Sequence, residues 1–361
     1  MSVDVICYCY HVSHVLNLGQ IPALLAQRGA RVRWLNAFAE SSFPLEQAPG
    51  VEYAFNVPLD TLGRLESDLY LTPYVGQVAH FPQRAQRVHF LVSLTSLDGV
   101  YDKGMFDQYD VIACAGRHHV DEFAVLAQER HWQNKLLMPV GYPKLDGQRR
   151  QLAASGLNPP ENLTVVFAPT HAYYVNRGFS ILNRYGEQLV SAMLDGGISV
   201  VFRPHMESWR DQDKPVVERI VARFQGHAQF SLDRSGNYFD TYARTHLMLT
   251  DISGTGFTYA FTFGRPALFF APNAADEAGM RGIQFERREN IGLVVRSLDE
   301  LVPKLRLAQT HRGFLEQQIA EFRDWLLFNP GTSEQFFADH ARELLSREGA
   351  ARSWPQLHHP A

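Results

Sequence analysis

Short apolar runs separated by amphipathic stretches recur along the chain. Val3–Tyr8 is the first, followed by a loop from His11, a helix over Gly19–Arg28 closed by Gly29, and a second run at Arg31–Leu35. Such runs, bounded by turns, mark strands buried on both faces of a parallel sheet. Val88–Ser93, Val111–Ala115 and Lys135–Val140 predict further strands, the last ending at Gly141-Tyr142-Pro143. Gln148–Asn162 is polar, carries Pro159-Pro160, and predicts a linker. A second series then begins. Leu163–Ala168 and Ile198–Phe202 predict strands, and Tyr185–Leu194 and Val216–Phe224 predict helices. Tyr238 and Asp240 open a helix, with Asp240 as its cap. Leu247–Thr250 and Ala267–Ala271 are strand-like and flank a helix over Phe257–Phe263 that Gly264 stops. Ile291–Val295 is the last strand-like run; Leu301–Leu307 and Phe314–Phe328 have helical spacing. Ser333–Leu345 predicts a closing helix capped by Thr332 or Ser333, and a polar tail follows from Ser346.

The expected fold class is α/β: two Rossmann-like domains with parallel sheets facing across a cleft. The boundaries expected are 1–150, 151–330, and a closing helix with tail over 331–361. The 361 residues, 45% of them hydrophobic, suffice for two cores. A net charge of −4, from 34 basic and 38 acidic residues, gives no sign of general nucleic-acid binding. Cys7, Cys9 and Cys114 sit in apolar runs and predict reduced packing residues of a cytoplasmic protein. The first ten residues are too short and too acidic for a signal peptide, and no run reaches membrane-span length. Any membrane association is therefore expected to be peripheral, at the inner face. Oligomeric state is not legible.

Ligands of such sheets bind beyond the carboxyl ends of the strands, here in the cleft between domains. The strand ends read His11-Val12-Ser13-His14, Ser93-Leu94-Thr95-Ser96, Gly116-Arg117-His118-His119, Pro169-Thr170-His171, Arg203-Pro204-His205 and Asp251–Gly256. Histidine recurs at four of these six ends, and His89 lies at a strand start. No His/Cys/carboxylate spacing matches a metal site, so neither a metal nor a tightly bound cofactor is expected.

The loop Asp251-Ile252-Ser253-Gly254-Thr255-Gly256 runs from a strand into a helix start. Backbone N–H groups and the positive helix end form an anion cradle there. Ser253 and Thr255 add hydroxyls, and Gly254 and Gly256 admit close approach of a phosphate. The competing reading is a tight turn with Ser253 or Thr255 as N-cap. A buried Asp251 could equally tie the loop by accepting backbone N–H bonds. Tyr173 and Tyr174 could stack on a base or sugar, or simply pack.

Several segments resemble the CDP-glycerol glycerophosphotransferase family of teichoic-acid and capsule polymerases. Val166-Phe167-Ala168-Pro169-Thr170 is similar to its Y-A-P-T strand end, and Phe202-Arg203-Pro204-His205 to its K/R-x-H-P element, here ordered R-P-H. Tyr238–Asp251 with Ser253 resembles D-x-Y-x-x-L-x-x-S-D-x-L-I-T-D-Y-S-S, and Gly264–Phe270 resembles x-K-P-V-I-F-Y. Gly141–Asp146 resembles G-Y-P-R-x-D, and Gly331-Thr332-Ser333-Glu334 fits the start of the closing helix. The resemblance covers about residues 85–345. The family's W-H-G-T-P-x-K element is represented only by His89-Phe90-Leu91-Val92-Ser93, and Ile252-Ser253-Gly254-Thr255 replaces its tyrosine–serine pair. Both departures leave donor and acceptor open.

The resemblance implies a two-Rossmann, GT-B-like transferase. Residues 1–150 would be the acceptor side and 151–330 the nucleotide-donor side. It implies transfer of a glycerophosphoryl or glycosyl group from a nucleotide-activated donor, CDP or CMP in type, to a polymer or lipid-linked acceptor. His89 and His205 are the expected catalytic residues, with His89 as base. Arg203, Ser253, Gly254, Thr255 and Gly256 are expected on the donor phosphates, and Thr170, His171, Asp251, His14 and His118 elsewhere in the cleft. Two alternatives stand beside this: a UDP-sugar 2-epimerase-like isomerase, and a degenerate nucleotide- or glycan-binding partner of another synthase. Arg281, Arg287 and Arg288 read as an ordinary solvated face rather than a patch for anionic lipid.

Overall fold

The computed structural model describes residues 3–76, 80–97, 101–133, 135–172, 178–210 and 212–345. Tyr173, Tyr174 and the tail from Ser346 lie outside these residues. The described residues fall into two compact units. One is drawn from Met1–Leu94, Tyr101–Gly147 and Leu326–Ala361, the other from Thr95–Val100 and Gln148–Trp325.

In the first unit the chain forms β1 (Asp4–Cys9), α1 (Val15–Leu18), α2 (Ile21–Gln27), β2 (Arg31–Asn36), β3 (Val51–Ala54), β4 (Leu69–Thr72), β5 (Gln86–Phe90), β6 (Val111–Cys114), α3 (Arg117–Glu129), β7 (Leu136–Pro139) and α4 (Pro143–Ser155). Its seven strands pair in parallel in the order β3-β2-β1-β4-β5-β6-β7. The second unit forms β8 (Thr164–Phe167), α5 (Leu182–Asp195), β9 (Ser199–Phe202), α6 (Lys214–Phe224), β10 (Phe230–Leu232), α7 (Phe239–Ala243), β11 (Leu247–Thr250), α8 (Gly254–Phe263), β12 (Ala267–Phe270), α9 (Ile283–Glu286), β13 (Gly292–Val295), α10 (Leu298–Thr310) and α11 (Arg312–Leu326). Its six strands, also parallel, run β10-β9-β8-β11-β12-β13. The closing helix, α12 (Ser333–His340), packs on α2 of the first unit, and Phe337 meets Phe90 of β5. The α/β class and the two parallel sheets are as the apolar runs predict.

Each sheet is covered on both faces, so its central strands are wholly buried; β4, β6, β8, β11 and β12 are buried at every position. That is why these segments lack alternation. The three cysteines are buried and unpaired, and burial pushes the Cys9 thiol up to about 12.

Several expectations are corrected. Residues 148–155 are not linker but the second half of α4, since a polar composition is compatible with a solvated helix face. The Gly19–Arg28 helix is broken, because Gly19 takes φ +51 between α1 and α2. Asp240 lies inside α7 rather than capping it, and Tyr238 holds the N-cap position. Neither Thr332 nor Ser333 caps α12 with its side chain. Asp146, 2% exposed, instead accepts the Gly331 and Ser333 N–H groups at 2.7 and 3.0 Å. The G-Y-P-K-L-D and G-T-S-E segments are thus two halves of one helix cap.

Candidate functional site

The second sheet reverses its strand order between β8 and β11. Loops leaving the two strands diverge there and open a crevice beyond the strand ends. The loop after β8 carries Thr170 and His171, the loop after β9 carries His205, and the loop after β11 leads through Asp251 to Ser253 and α8. Three neighbouring strand ends therefore deliver a hydroxyl, two imidazoles and a helix start to one edge of the sheet.

Local chemistry sets the helix start. Ser253 is extended (φ −62, ψ 131), and its hydroxyl accepts the Thr255 N–H at 3.2 Å, so α8 begins at Gly254, earlier than its apolar periodicity. Gly264 ends it in the left-handed region, at φ +66. The ten-residue helix points its positive end at the crevice.

Asp251 is 2% exposed and accepts the Thr170 hydroxyl at 2.9 Å, the Thr170 N–H at 3.1 Å and the Ile181 N–H at 3.3 Å. It ties the β8 loop to the β11 loop, as the alternative reading of that residue anticipated. Burial pushes its carboxyl up to about 6 against the opposing pull of these bonds. The Thr170 hydroxyl is spent on Asp251, so it is a brace rather than a free donor to ligand. Beside it lies a cavity of about 280 Å³, lined by Ser180, Arg184, Asp251, Ile252, Pro272 and Asn273 among others.

His171 and His205 lie with ring centroids 4.6 Å apart. His205 Nδ1 accepts the Glu207 N–H at 3.2 Å, so the neutral ring carries its proton on Nε2. Desolvation, then the neighbouring His171 and Arg203, lower His205 to about 4, although the residue keeps an exposed edge. At neutral pH it is an uncharged N–H donor.

Other expected site residues are placed elsewhere. Arg203 is committed within the protein: its guanidinium pairs with Asp233 and bonds the Ser235 hydroxyl and carbonyl, with side chains 13% and 10% exposed. It is not available to grip a phosphate. Gly256 serves packing rather than phosphate approach. It is buried, and a Cβ there would lie 2.9 Å from the Phe269 ring. Gly256→Ala should therefore cost about 1–2 kcal/mol, overpacking outweighing the helix-propensity gain. Chemical denaturation checks this; unchanged or increased stability would show that Phe269 yields freely.

In the first unit His89 is 0% exposed, ringed by Tyr101, Phe106 and Tyr109, and neither ring nitrogen has a hydrogen-bond partner. Burial lowers it to about 3. A group so enclosed cannot take a proton from a substrate hydroxyl, so the expected role of base is withdrawn. Its strand places it between two covered sheet faces, which the loop-ward reading overlooked. His14 and His118 are 7% and 9% exposed, each lowered to about 4 by burial. His118 Nε2–H donates to the Leu94 carbonyl at 2.8 Å. His118 thus secures the turn into α3, and no contact brings either histidine into the second unit's crevice.

Sequence reasoning missed Asp213, which is 0% exposed and accepts the Ala172 N–H and the Asn183 amide, each at 2.8 Å. In the sequence, Asp213 before Lys214-Pro215 has only the look of a helix cap.

No family model matches the chain, and no curated protein matches it. Solved structures do. The wall teichoic acid polymerase TagF aligns over 95% of this chain and 89% of its own with TM-score 0.64 at 14% identity. A putative UDP-N-acetylglucosamine 2-epimerase from Listeria monocytogenes aligns over 96% and 97% with TM-score 0.62 at 12% identity. The UDP-GlcNAc 2-epimerase from Methanocaldococcus jannaschii aligns over 95% and 100% with TM-score 0.59 at 12% identity. At these identities the likeness shows the fold, the GT-B architecture that the sequence resemblance implied. The neighbours include both the polymerase class of that resemblance and the epimerase class held as its alternative. Among the described residues no helix is long and apolar enough to cross a membrane.

Proposed function

We propose that the protein is a transferase that takes a glycerophosphoryl or glycosyl group from a nucleotide-activated donor of CDP type and passes it to a polymer or lipid-linked acceptor. The observation that carries this reading is the convergence of His171, His205 and the Ser253-capped start of α8 at adjacent strand ends, on the switch point of the second sheet. Neutral donors and a helix N-terminus suit the diphosphate of a nucleotide. In a glycerophosphoryl transfer the acceptor hydroxyl oxygen bonds the β-phosphorus, the bond from that phosphorus to the bridging oxygen breaks, and CMP leaves with the bridging oxygen. The donors stabilise the charge that develops there. His205 Nε2–H is assigned to that oxygen or its neighbours, and the acceptor's proton passes to solvent or to a base on the acceptor side. The reaction needs no tightly bound cofactor. A lipid-linked acceptor would place the enzyme at the inner face of the membrane by peripheral contact. The sequence resemblance and the TagF neighbour support the choice of donor.

The test is a thermal-shift screen with CDP, CMP, UDP, GDP and ADP. CDP or CMP should raise the midpoint selectively, by the equivalent of about 2.7 kcal/mol at a hundredfold excess over the dissociation constant. His205→Ala should abolish most of the shift. No shift with any nucleotide would overturn the reading. Epimerase neighbours with TM-scores in the same range favour a second reading: a UDP-selective shift, with turnover of UDP-N-acetylglucosamine in the absence of any acceptor, would establish it instead.

A further inference from the structure

The carboxylate of Asp213 is placed oddly for its position. It occupies the N-cap position of α6, where an aspartate ordinarily accepts N–H groups of its own helix, yet it makes no side-chain cap bond. Its two oxygens are spent across the unit's loops. Oδ2 accepts the Ala172 N–H at 2.8 Å, and Oδ1 accepts the Asn183 amide of α5 at 2.8 Å. The neighbouring Gln212 amide donates to the Ala172 carbonyl at 2.9 Å, so both polar groups of the Ala172 backbone are held by one dipeptide. A fully buried carboxylate diverted from its own helix must be offset by what it holds in place.

What it holds is the residue after His171. Thr170 is pinned from one side by Asp251, and Ala172 from the other by Asp213. His171 lies between two fixed points, with its ring against that of His205. The chain from His205 to Asp213 is short: a 3-10 turn over Met206–Trp209, then Arg210, whose carbonyl accepts the Asp213 N–H. Asp213 therefore closes a circuit that sets the spacing of the two imidazoles.

We propose that Asp213 is a positioning residue that holds His171 against His205 for binding the donor's diphosphate. The inference rests on the function proposed above. A ligand bound by two imidazoles and a helix start tolerates little displacement of any of them, and misplacement by about 1 Å can cost up to about a hundredfold. The charged groups facing the pair are Glu207 and Asp213 near His171, and His171, Glu207 and Arg203 near His205.

The experiment compares Asp213→Asn with the double change D213N/N183D. The single variant conserves volume, but one amide oxygen cannot serve both the Ala172 N–H and the Asn183 amide, and the amide nitrogen faces a donor. CDP should bind it about tenfold more weakly. The ring signals of His171 and His205 should move in an NMR titration, and the His171 midpoint should fall because a nearby anion is gone. The double change restores a donor–acceptor pair in the reverse sense, and should recover most of the CDP affinity. A merely structural role would lower the melting temperature without altering affinity or titration below it. If folded D213N binds CDP as tightly as the unaltered protein, with both histidines titrating as before, the proposal is overturned. If the unaltered protein binds no nucleotide, the proposed function fails instead. The histidine titrations then decide alone: moved midpoints uphold Asp213 as the residue that sets the pair, unmoved ones overturn it.

Discussion

His89→Leu should raise the unfolding midpoint at pH 7 and raise it further at pH 5. The side chain is fully buried among three aromatic rings, with both nitrogens unpartnered. A buried polar atom without a partner costs about 1–3 kcal/mol, and leucine fills similar space with none. The pH dependence follows from proton binding. His89 is held at about 3 by burial, below the 6.5 of an open imidazole. Between those values the unfolded chain binds the proton and the folded chain does not. The stability associated with His89 is thus fully present above pH 6.5 and is lost as pH falls. From pH 6.5 to 5 the loss is about 2 kcal/mol for one such group. His14 and His118, each near 4, act with the same sign, so the protein should be acid-labile in this window. Thermal melts of the two proteins at both pH values measure the effect. A lower midpoint for His89→Leu at pH 7 would show that the imidazole makes a bond the fold needs. CDP affinity should be unchanged.

The second large effect is expected at Arg203. Arg203→Ala leaves the Asp233 carboxylate buried without its cation, which typically costs about 3–5 kcal/mol. Burial by itself would raise Asp233. Bonds from the Ser235 and Thr241 hydroxyls and the Ser235 N–H, with the charge of Arg203, more than offset that and hold it below the usual carboxylate range. The stability it contributes is accordingly present at neutral pH and lost as pH falls below about 4. Removing both charges while keeping an acceptor oxygen, in the double change R203M/D233N, should recover much of the loss. The double variant also separates structure from ligand contact. If Arg203 is purely structural, the folded double variant binds CDP normally. A stable double variant that has lost CDP affinity would return Arg203 to the phosphate site.

Legibility followed burial. β8, β9, β11, β12 and β13 were all marked by apolar runs, because parallel strands covered on both faces need apolar residues at nearly every position. The edge strands β3 (Val51–Ala54) and β10 (Phe230–Leu232) were missed, as their partly exposed residues interrupt the apolar signal. β4, though buried throughout, is only four residues long and was missed as well. In the site, the Ser253 cap and the Asp251 tie were readable, since each acts on backbone nearby in the chain or on the adjacent strand.

The partners of long-range side chains were not readable. Arg203 in an R-P-H strand end looks the same in sequence whether it meets a phosphate or Asp233, thirty residues on. His89 looks the same whether its strand end opens to a ligand or sits under three rings. The order of apolar runs by itself determined the α/β class, the two parallel sheets and the loops at their carboxyl ends, because periodicity and burial are local consequences of residue type. Only the tertiary structure decided which side chains at those ends stay free, because that depends on groups brought together from distant positions: Asp233 to Arg203, Asp213 to Ala172, and Asp146 to the start of α12.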